Sequence, residues 1–428
     1  MTVATAAPER AGAQQRLGVG RQMALSSFWL AYNFHWGALL PIVFPAQIAL
    51  MVGDEKKEAY LGLILSLAAC VSLFGTPLAG ALSDRSLSRF GRRRPFMIVG
   101  TLINIAFLLI LPQFGAGNSV WIYLLVLMGI QFGNNWSGGP YAGLIPDVVP
   151  EKQRGEASGW LALMTAIGFL LGAVIAGRIA GGDNFMPVAL LCSAVLIALL
   201  VVTLLFVKET PLEAAPPPLP LREFLRSFIL PWDLYRDFYF VLFTRLLVMM
   251  GISSVFQFFL YFLRDIIKVA DPAAETGVLI GIIIASGIPT SLLAGKVSDR
   301  YGRKPLVYLS GGLMALASII FIWNGFRPSL AFTHVIGALF GVGYGAYQAV
   351  DWALAIDVLP KGDSAARDMG IWHIALVLPQ ILAPAVTGLT LALFKGSSLL
   401  LGYTVVFAMT AVWFILGTVL VRRIRGAR

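Results

Sequence analysis

GALSDRSLSRFGRRRP at Gly80–Pro95 and GKVSDRYGRKP at Gly295–Pro305 are two versions of one short segment, their leading glycines 215 residues apart. A second pair repeats beside them. IPDVVPEKQRGEASGW (Ile145–Trp160) and AIDVLPKGDSAARDMGIW (Ala355–Trp372) share Asp-Val-x-Pro, with Asp147 and Asp357 210 residues apart. Half of the 428-residue chain is 214 residues. Two motifs held in register at that spacing read as parallel copies of one structural unit.

The sequence around these motifs is apolar. The chain is 58% hydrophobic and 13% charged, with a mean hydropathy of +0.81, where soluble domains carry about 25% charge. Gln22–Gly53, Ala59–Ser83, Asn184–Val207 and Met369–Phe394 contain no Asp, Glu, Lys or Arg, and Pro95–Pro146 contains none in 52 positions. A helix crosses the hydrocarbon core with about 20 apolar residues. The pattern therefore predicts an all-α integral membrane protein with twelve transmembrane helices. Their expected spans are 22–50, 58–82, 95–113, 118–146, 157–179, 186–207, 237–263, 274–297, 304–325, 329–357, 366–394 and 397–421. The repeat divides them into an N-terminal bundle (22–207) and a C-terminal bundle (237–421). A disordered tail (1–21) precedes them, a linker rich in proline and charge (208–236) joins them, and a basic tail (422–428) follows. A soluble catalyst is excluded.

The net charge of +10 reports topology. With twelve spans both termini share one side, and that side holds 24 of the 32 Lys and Arg residues. The opposite loops hold seven, and Arg245 lies within a span. The richer side is cytoplasmic by the positive-inside rule, so both termini are expected inside a cell membrane and no nucleic acid is required. Residues 1–20 lack the apolar core of a cleavable signal. Cys70 and Cys192 both fall inside spans, and neither they nor His35, His334 and His373 show metal-ligand spacing. No cofactor and no metal are expected.

The paired loops, with their G-x-x-x-D-R-x-G-R-[RK] pattern, resemble the major facilitator superfamily across residues 22–421. The first copy carries four extra residues, in SDRSLSRFGRRRPF, and so resembles the sucrose–proton symporters and the bacterial glycoside–pentoside–hexuronide group. NNWSGGPYAGLIPD (Asn134–Asp147) is similar to a segment of the same group. The resemblance implies two pseudo-symmetric six-helix bundles that close alternately around a midplane cavity, lined chiefly by spans one, four, seven and ten. Plant sucrose carriers have an acid and an arginine where this chain has Gln131 and Ala142, so their sucrose specificity and proton site do not carry over. Drug–proton antiporters of the superfamily carry Gly-Pro in span five; GFLLGAVIAGRIAGG (Gly168–Gly182) lacks it, which counts against antiport.

Three stripes supply candidate solute contacts: Trp29, Asn33, His35 and Trp36 in span one; Gln131, Asn134 and Asn135 in span four; Tyr344, Tyr347 and Gln348 in span ten. Helical spacing puts each stripe on one face, and polar faces inside a membrane point at a bundle interior or a cavity. Amides with aromatic rings suit a polyhydroxylated solute; helix–helix hydrogen bonding is the alternative use. Asp351, Arg245 and His373 are ionisable groups within spans, costly and therefore coupling candidates; His35 is the competing proton group, and a structural ion pair is the alternative use of Asp351 with Arg245. In the loops, Asp84 with Arg85, Arg92 and Arg93, and Asp299 with Arg300 and Arg303, are candidate gating clusters, joined by Asp147 and Asp357. A carboxylate there can cap a helix and pair with arginine, latching one side until the bundles rock. The function expected is secondary transport of a sugar or glycoside-like small solute by a monomer, with the proton as coupling ion and sodium as the alternative. Export of amphipathic compounds on the same fold, a non-transporting sensor or pigment-assembly protein, and a lipid-modifying membrane enzyme are the rival readings.

Overall fold

The computed structural model describes residues 16–150, 153–180, 184–207, 209, 232–358 and 365–425. Among them run twelve long helices. The first six are α1 (Val19–Val52), α2 (Lys57–Ser83), α3 (Arg94–Gln113), α4 (Val120–Val148), α5 (Arg154–Ile179) and α6 (Met186–Phe206). The second six are α7 (Trp232–Ile267), α8 (Pro272–Tyr301), α9 (Lys304–Phe326), α10 (Leu330–Asp357), α11 (Ala365–Lys395) and α12 (Leu399–Leu420). Eleven are long and apolar enough to cross a membrane. The other is α4, whose 29 residues suffice in length but include Gln131, Asn134, Asn135 and Ser137. α7 starts at Trp232 rather than at the expected 237. Most of the expected N-terminal tail (1–15) and linker (210–231), and the end of the basic tail (426–428), lie outside the described residues.

Local chemistry sets the breaks. Pro95, Pro187, Pro272 and Pro305 occupy the first turns of α3, α6, α8 and α9, where a missing N–H costs nothing and φ is already helical. Asp271 caps α8 by accepting the Ala274 N–H at 3.0 Å. α1 ends at Gly53, whose φ of 74° is left-handed, a conformation glycine adopts without strain. Within α1, Leu39–Val43 forms a widened π turn around Pro41, as expected where proline removes a donor from the helical ladder.

Packing repeats with the sequence. In the first half α1 packs on α5 and α6, α4 packs on α2 and α3, and α3 touches α6. Six helices later the same set recurs: α7 on α11 and α12, α10 on α8 and α9, and α9 on α12. The halves meet chiefly along α2–α11 and α5–α8, a pair of seams that the repeat exchanges. Outward faces are apolar, with Phe74, Leu125, Leu205 and Leu393 each exposed. Such a surface suits hydrocarbon, where helices satisfy their own backbone groups.

The two seams close on the face opposite the termini. A Cβ on Gly62 (α2) would collide with the Pro384 carbonyl of α11, and one on Gly388 with the Glu58 carbonyl. Across the other seam, a Cβ on Gly277 would stand 2.7 Å from the Ala173 oxygen, and one on Gly177 2.6 Å from the Ala273 oxygen. Gly62 and Gly277 are 215 residues apart, matching the loop repeat. Tyr261 of α7 donates to the Pro45 carbonyl of α1 at 2.8 Å, and Ser66 of α2 to the Ile381 carbonyl of α11 at 2.5 Å.

Candidate functional site

Where the halves meet, a narrow cavity is lined by Leu40 and Phe44 of α1, Leu65, Ala68 and Ala69 of α2, Leu127 and Gln131 of α4, Gln257 of α7 and Gln380 of α11. The three glutamines lie 11, 10 and 15 residues in from their helix ends, about 15–23 Å at 1.5 Å per residue. That depth lies well inside each helix. Among the described residues the lining is otherwise aliphatic or aromatic and contains no ionisable group. Gln257 is buried and its Oε1 has no hydrogen-bond partner, an arrangement that costs free energy until a donor arrives. Gln131 accepts from Ser72 at 3.3 Å.

The other candidates on α4 serve helix pairing. Asn135 donates to Ser72 Oγ at 2.9 Å and to the Gln131 carbonyl at 2.7 Å, and it accepts from Thr76 at 2.7 Å. Asn134 is buried and accepts from Asn104 of α3 at 3.5 Å. These bonds tie α4 to α2 and α3. In α1, Asn33 donates to the Trp29 carbonyl one turn back at 2.8 Å, and Trp29 packs against Tyr32 and Tyr141. His35 is fully buried against Trp36, with neither ring nitrogen partnered. On α10 the Tyr344 hydroxyl accepts from Gln348 at 3.5 Å, and its ring lies 5.8 Å from that of Phe256.

Arg245 and Asp351 are brought together. They form a buried salt bridge between α7 and α10, and the Tyr347 hydroxyl donates to the second carboxylate oxygen at 2.8 Å. All three residues belong to the second half. His373 falls in α11 and Asp299 in α8, but their side chains lie outside the described residues.

On the face that carries the termini, each half builds the same bridge. Arg93 pairs with Asp147 at 2.5 Å, and Arg303 pairs with Asp357 at 3.4 Å. Both arginines and both acids are 210 residues apart. Arg93 also reaches Asp84 at 2.8 Å and Ser83, while Arg303 donates to Ser298. Arg92 joins Asp147. Partial burial draws the Arg92 guanidinium down, but Asp147, Asp84 and Glu209 outweigh it and hold it above its ordinary value. Glu209 accepts the Arg93 N–H at 3.0 Å, a carboxylate at the N-terminus of α3 where the helix dipole favours it. These bridges lie within a half, tying the loop and start of α3 or α9 to the end of α4 or α10. Arg300 is exposed.

Sequence reading missed Gln257 and Gln380, each a lone carboxamide in an apolar helix with no stripe around it. It also left unassigned the charges at the opposite face, where Lys57, Arg264 and Lys395 counted only toward the poorer side of the basic asymmetry. Lys57 is buried there, 2.8 Å from Asp265 of the other half.

The Major Facilitator Superfamily model matches residues 19–384. The multi-drug resistance efflux pump PmrA of Streptococcus pneumoniae is 24% identical over 395 residues, covering 88% of this chain and 92% of that one. A putative metabolite transport protein of Haemophilus influenzae is 26% identical over 312 residues, 64% of this chain and 67% of its own. Two solved structures share the fold. An inward-facing, occupied bacterial homologue of the human lysosomal transporter Spinster superposes with a TM-score of 0.74 at 14% identity, covering 94% of this chain and 96% of that one. A D-xylose–proton symporter superposes with a TM-score of 0.68 at 14% identity over 92% and 96%. With its described helices repeating as six and six around a cavity between the halves, the chain belongs to the major facilitator superfamily and is a multi-pass membrane transporter, not an enzyme.

Proposed function

We propose that this transporter moves a neutral, amphipathic small molecule out of the cell by alternating access, in exchange for protons. The observation that carries the reading is the cavity lining, where the described residues are six apolar side chains and three carboxamides, none of them ionisable. A lining of that kind suits an apolar body oriented by a few polar contacts, and no described lining residue offers a charged solute a counter-ion. The asparagines that would have made the pocket more hydrophilic are engaged between helices. The similarity to an efflux pump over most of both chains supports the direction and outweighs the missing Gly-Pro of span five, and the 24-to-7 basic asymmetry supports cytoplasmic termini. Asp351 is the proposed proton carrier, with Arg245 and Tyr347 as its partners.

Proton symport of a sugar or glycoside-like solute is the second reading, favoured by three carboxamides converging from both halves. One reconstitution separates the two. Liposomes containing the protein are given a pH gradient and offered labelled chloramphenicol, a neutral amphipath, and a panel of labelled sugars. Accumulation of chloramphenicol against a counter-directed proton flow supports export. Accumulation of a sugar along with protons replaces that reading with the second, and movement of neither rejects both.

A further inference from the structure

At the face opposite the termini, the outer face in the proposed orientation, three charges of one half meet three of the other. Asp54 lies in the α1–α2 loop, and Lys57 and Glu58 open α2. Arg264 and Asp265 lie in the last turn of α7, and Lys395 ends α11. Lys57 Nζ stands 2.8 Å from Asp265, Arg264 Nη2 2.6 Å from Asp54, and Lys395 Nζ 2.6 Å from Glu58. Lys395 also donates to the Asp54 carbonyl. Each charge of the first half thus has an opposite partner in the second. The first trio sums to −1 and the second to +1, so the closed cluster is neutral and the opened rims attract.

Burial makes the arrangement more than a surface decoration. The Lys57 and Glu58 side chains are 2% and 0% exposed, and the Lys57 ammonium lies 5.0 Å over the ring of Tyr261. Exposed pairs contribute little, whereas a buried pair that loses one member leaves an uncompensated charge. When two rigid halves rock, bonds inside a half survive and bonds between halves break. The bridges of Arg93, Arg303 and Arg245 are of the first kind; these are of the second.

We infer that Asp54, Lys57, Glu58, Arg264, Asp265 and Lys395 form an electrostatic lock that holds the outer mouth shut and sets the fraction of carriers open to the outside. The lock acts on the conformational equilibrium and is indifferent to which solute is carried. Its pairs lie on the α2–α7–α11 seam and add to the glycine packing that this seam shares with the repeat-related α5–α8 seam.

Spin labels test it in the full-length protein in liposomes. Cys70→Ser and Cys192→Ala remove the native thiols, and new cysteines at Ala116 and Arg327 put one label on an outer loop of each half. Distances between labels are then measured without solute, so the result stands apart from the transport reading. Glu58→Gln and Lys395→Met should each raise the long-distance, outward-open population by at least about tenfold. The charge swap Glu58→Lys with Lys395→Glu should recover the short distance. Arg264→Gln, which alters a more exposed pair, should shift the population in the same direction by less, and it serves if a buried variant fails to fold. Unchanged distances in the single variants, or a swap that stays as open as they are, would overturn the lock.

Discussion

Asp54 and Asp351 are both carboxylates paired with arginine, yet their surroundings assign them different tasks. Partial burial pushes the Asp54 carboxyl up, but its hydrogen bond to Lys57 and the charges of Lys57, Arg264 and Lys395 outweigh this, so its pKa is lowered. A lowered value means the closed state holds the ionised form. Its contribution to closure is fully present above the ordinary carboxylate range and is lost only as pH falls through the lowered value. Around it stand Lys57, Glu58, Arg264, Asp265 and Lys395, and Asp54 itself gives no titration between pH 8 and 5. Asp54→Asn should therefore leave the pH profile of the spin-label distance across the outer loops between pH 8 and 5 as it is in the parent; a lengthening in that range that disappears in Asp54→Asn would show that Asp54 itself takes up the proton. Asp351 lies instead between α7 and α10, buried with Arg245. Asp351→Asn should abolish accumulation driven by a pH gradient while solute counterflow persists. If Asp351→Asn with Arg245→Gln restores accumulation, the pair is only structural. This pair was legible in the sequence because a charge in an apolar span is conspicuous and costs about 2.5–3.5 kcal/mol on insertion scales.

Among the elements, α4 shows where sequence reading stops. Gln131, Asn134 and Asn135 share a helical face, and periodicity shows that such a face avoids lipid without saying what it meets. A face covered by α2 and one lining a cavity leave the same pattern. The fold decides residue by residue: Gln131 reaches the cavity, while Asn135 bonds Ser72 and Thr76 of α2. An amide held between helices and an amide on the cavity wall, such as Asn135 and Gln257, should thus respond differently to truncation. Asn135→Ala removes interhelical bonds worth about 0.6–2 kcal/mol each and should lower the thermal midpoint in detergent with solute affinity nearly unchanged. Gln257→Ala removes an unpartnered acceptor from the cavity wall and should weaken solute binding several-fold with the midpoint unchanged or raised. Equal loss of affinity in both variants would place Asn135 in the pocket after all. The loop clusters present the converse difficulty. Their acids and arginines were legible as partners, but whether a bridge spans one half or two is a property of the assembled fold.

For the molecule as a whole, the repeat was the most legible feature and the line of closure the least. Motif spacing gives six helices and six again, but the contacts between the halves involve backbone carbonyls, a few scattered charges and glycines, and the 215-residue echo of Gly62 and Gly277 is inconspicuous among 44 glycines. That inconspicuous chemistry has a mechanical consequence. At Gly62 an added side chain collides with the Pro384 carbonyl, and its Cβ stands 3.1 Å from Gly388 Cα. Both obstacles are main chain, so no rotamer change relieves them, and close-packed interiors have little slack. α2 and α11 must then separate, and the movement already available to them is the rocking that opens the outer face. Gly62→Leu should hold the carrier outward-open. With Cys70 replaced by serine and a cysteine at Ala69 on the cavity wall, a membrane-impermeant thiol reagent should react at least about tenfold faster from outside than with the parent, which needs ~1.4 kcal/mol. Reaction from inside should slow, and net transport should stop while the protein stays folded. Gly312→Leu is the control, since that position is exposed and a Cβ there meets nothing within 4 Å. Normal transport and parental labelling in Gly62→Leu would show that α2 and α11 can part locally, and the two halves would no longer count as rigid bodies.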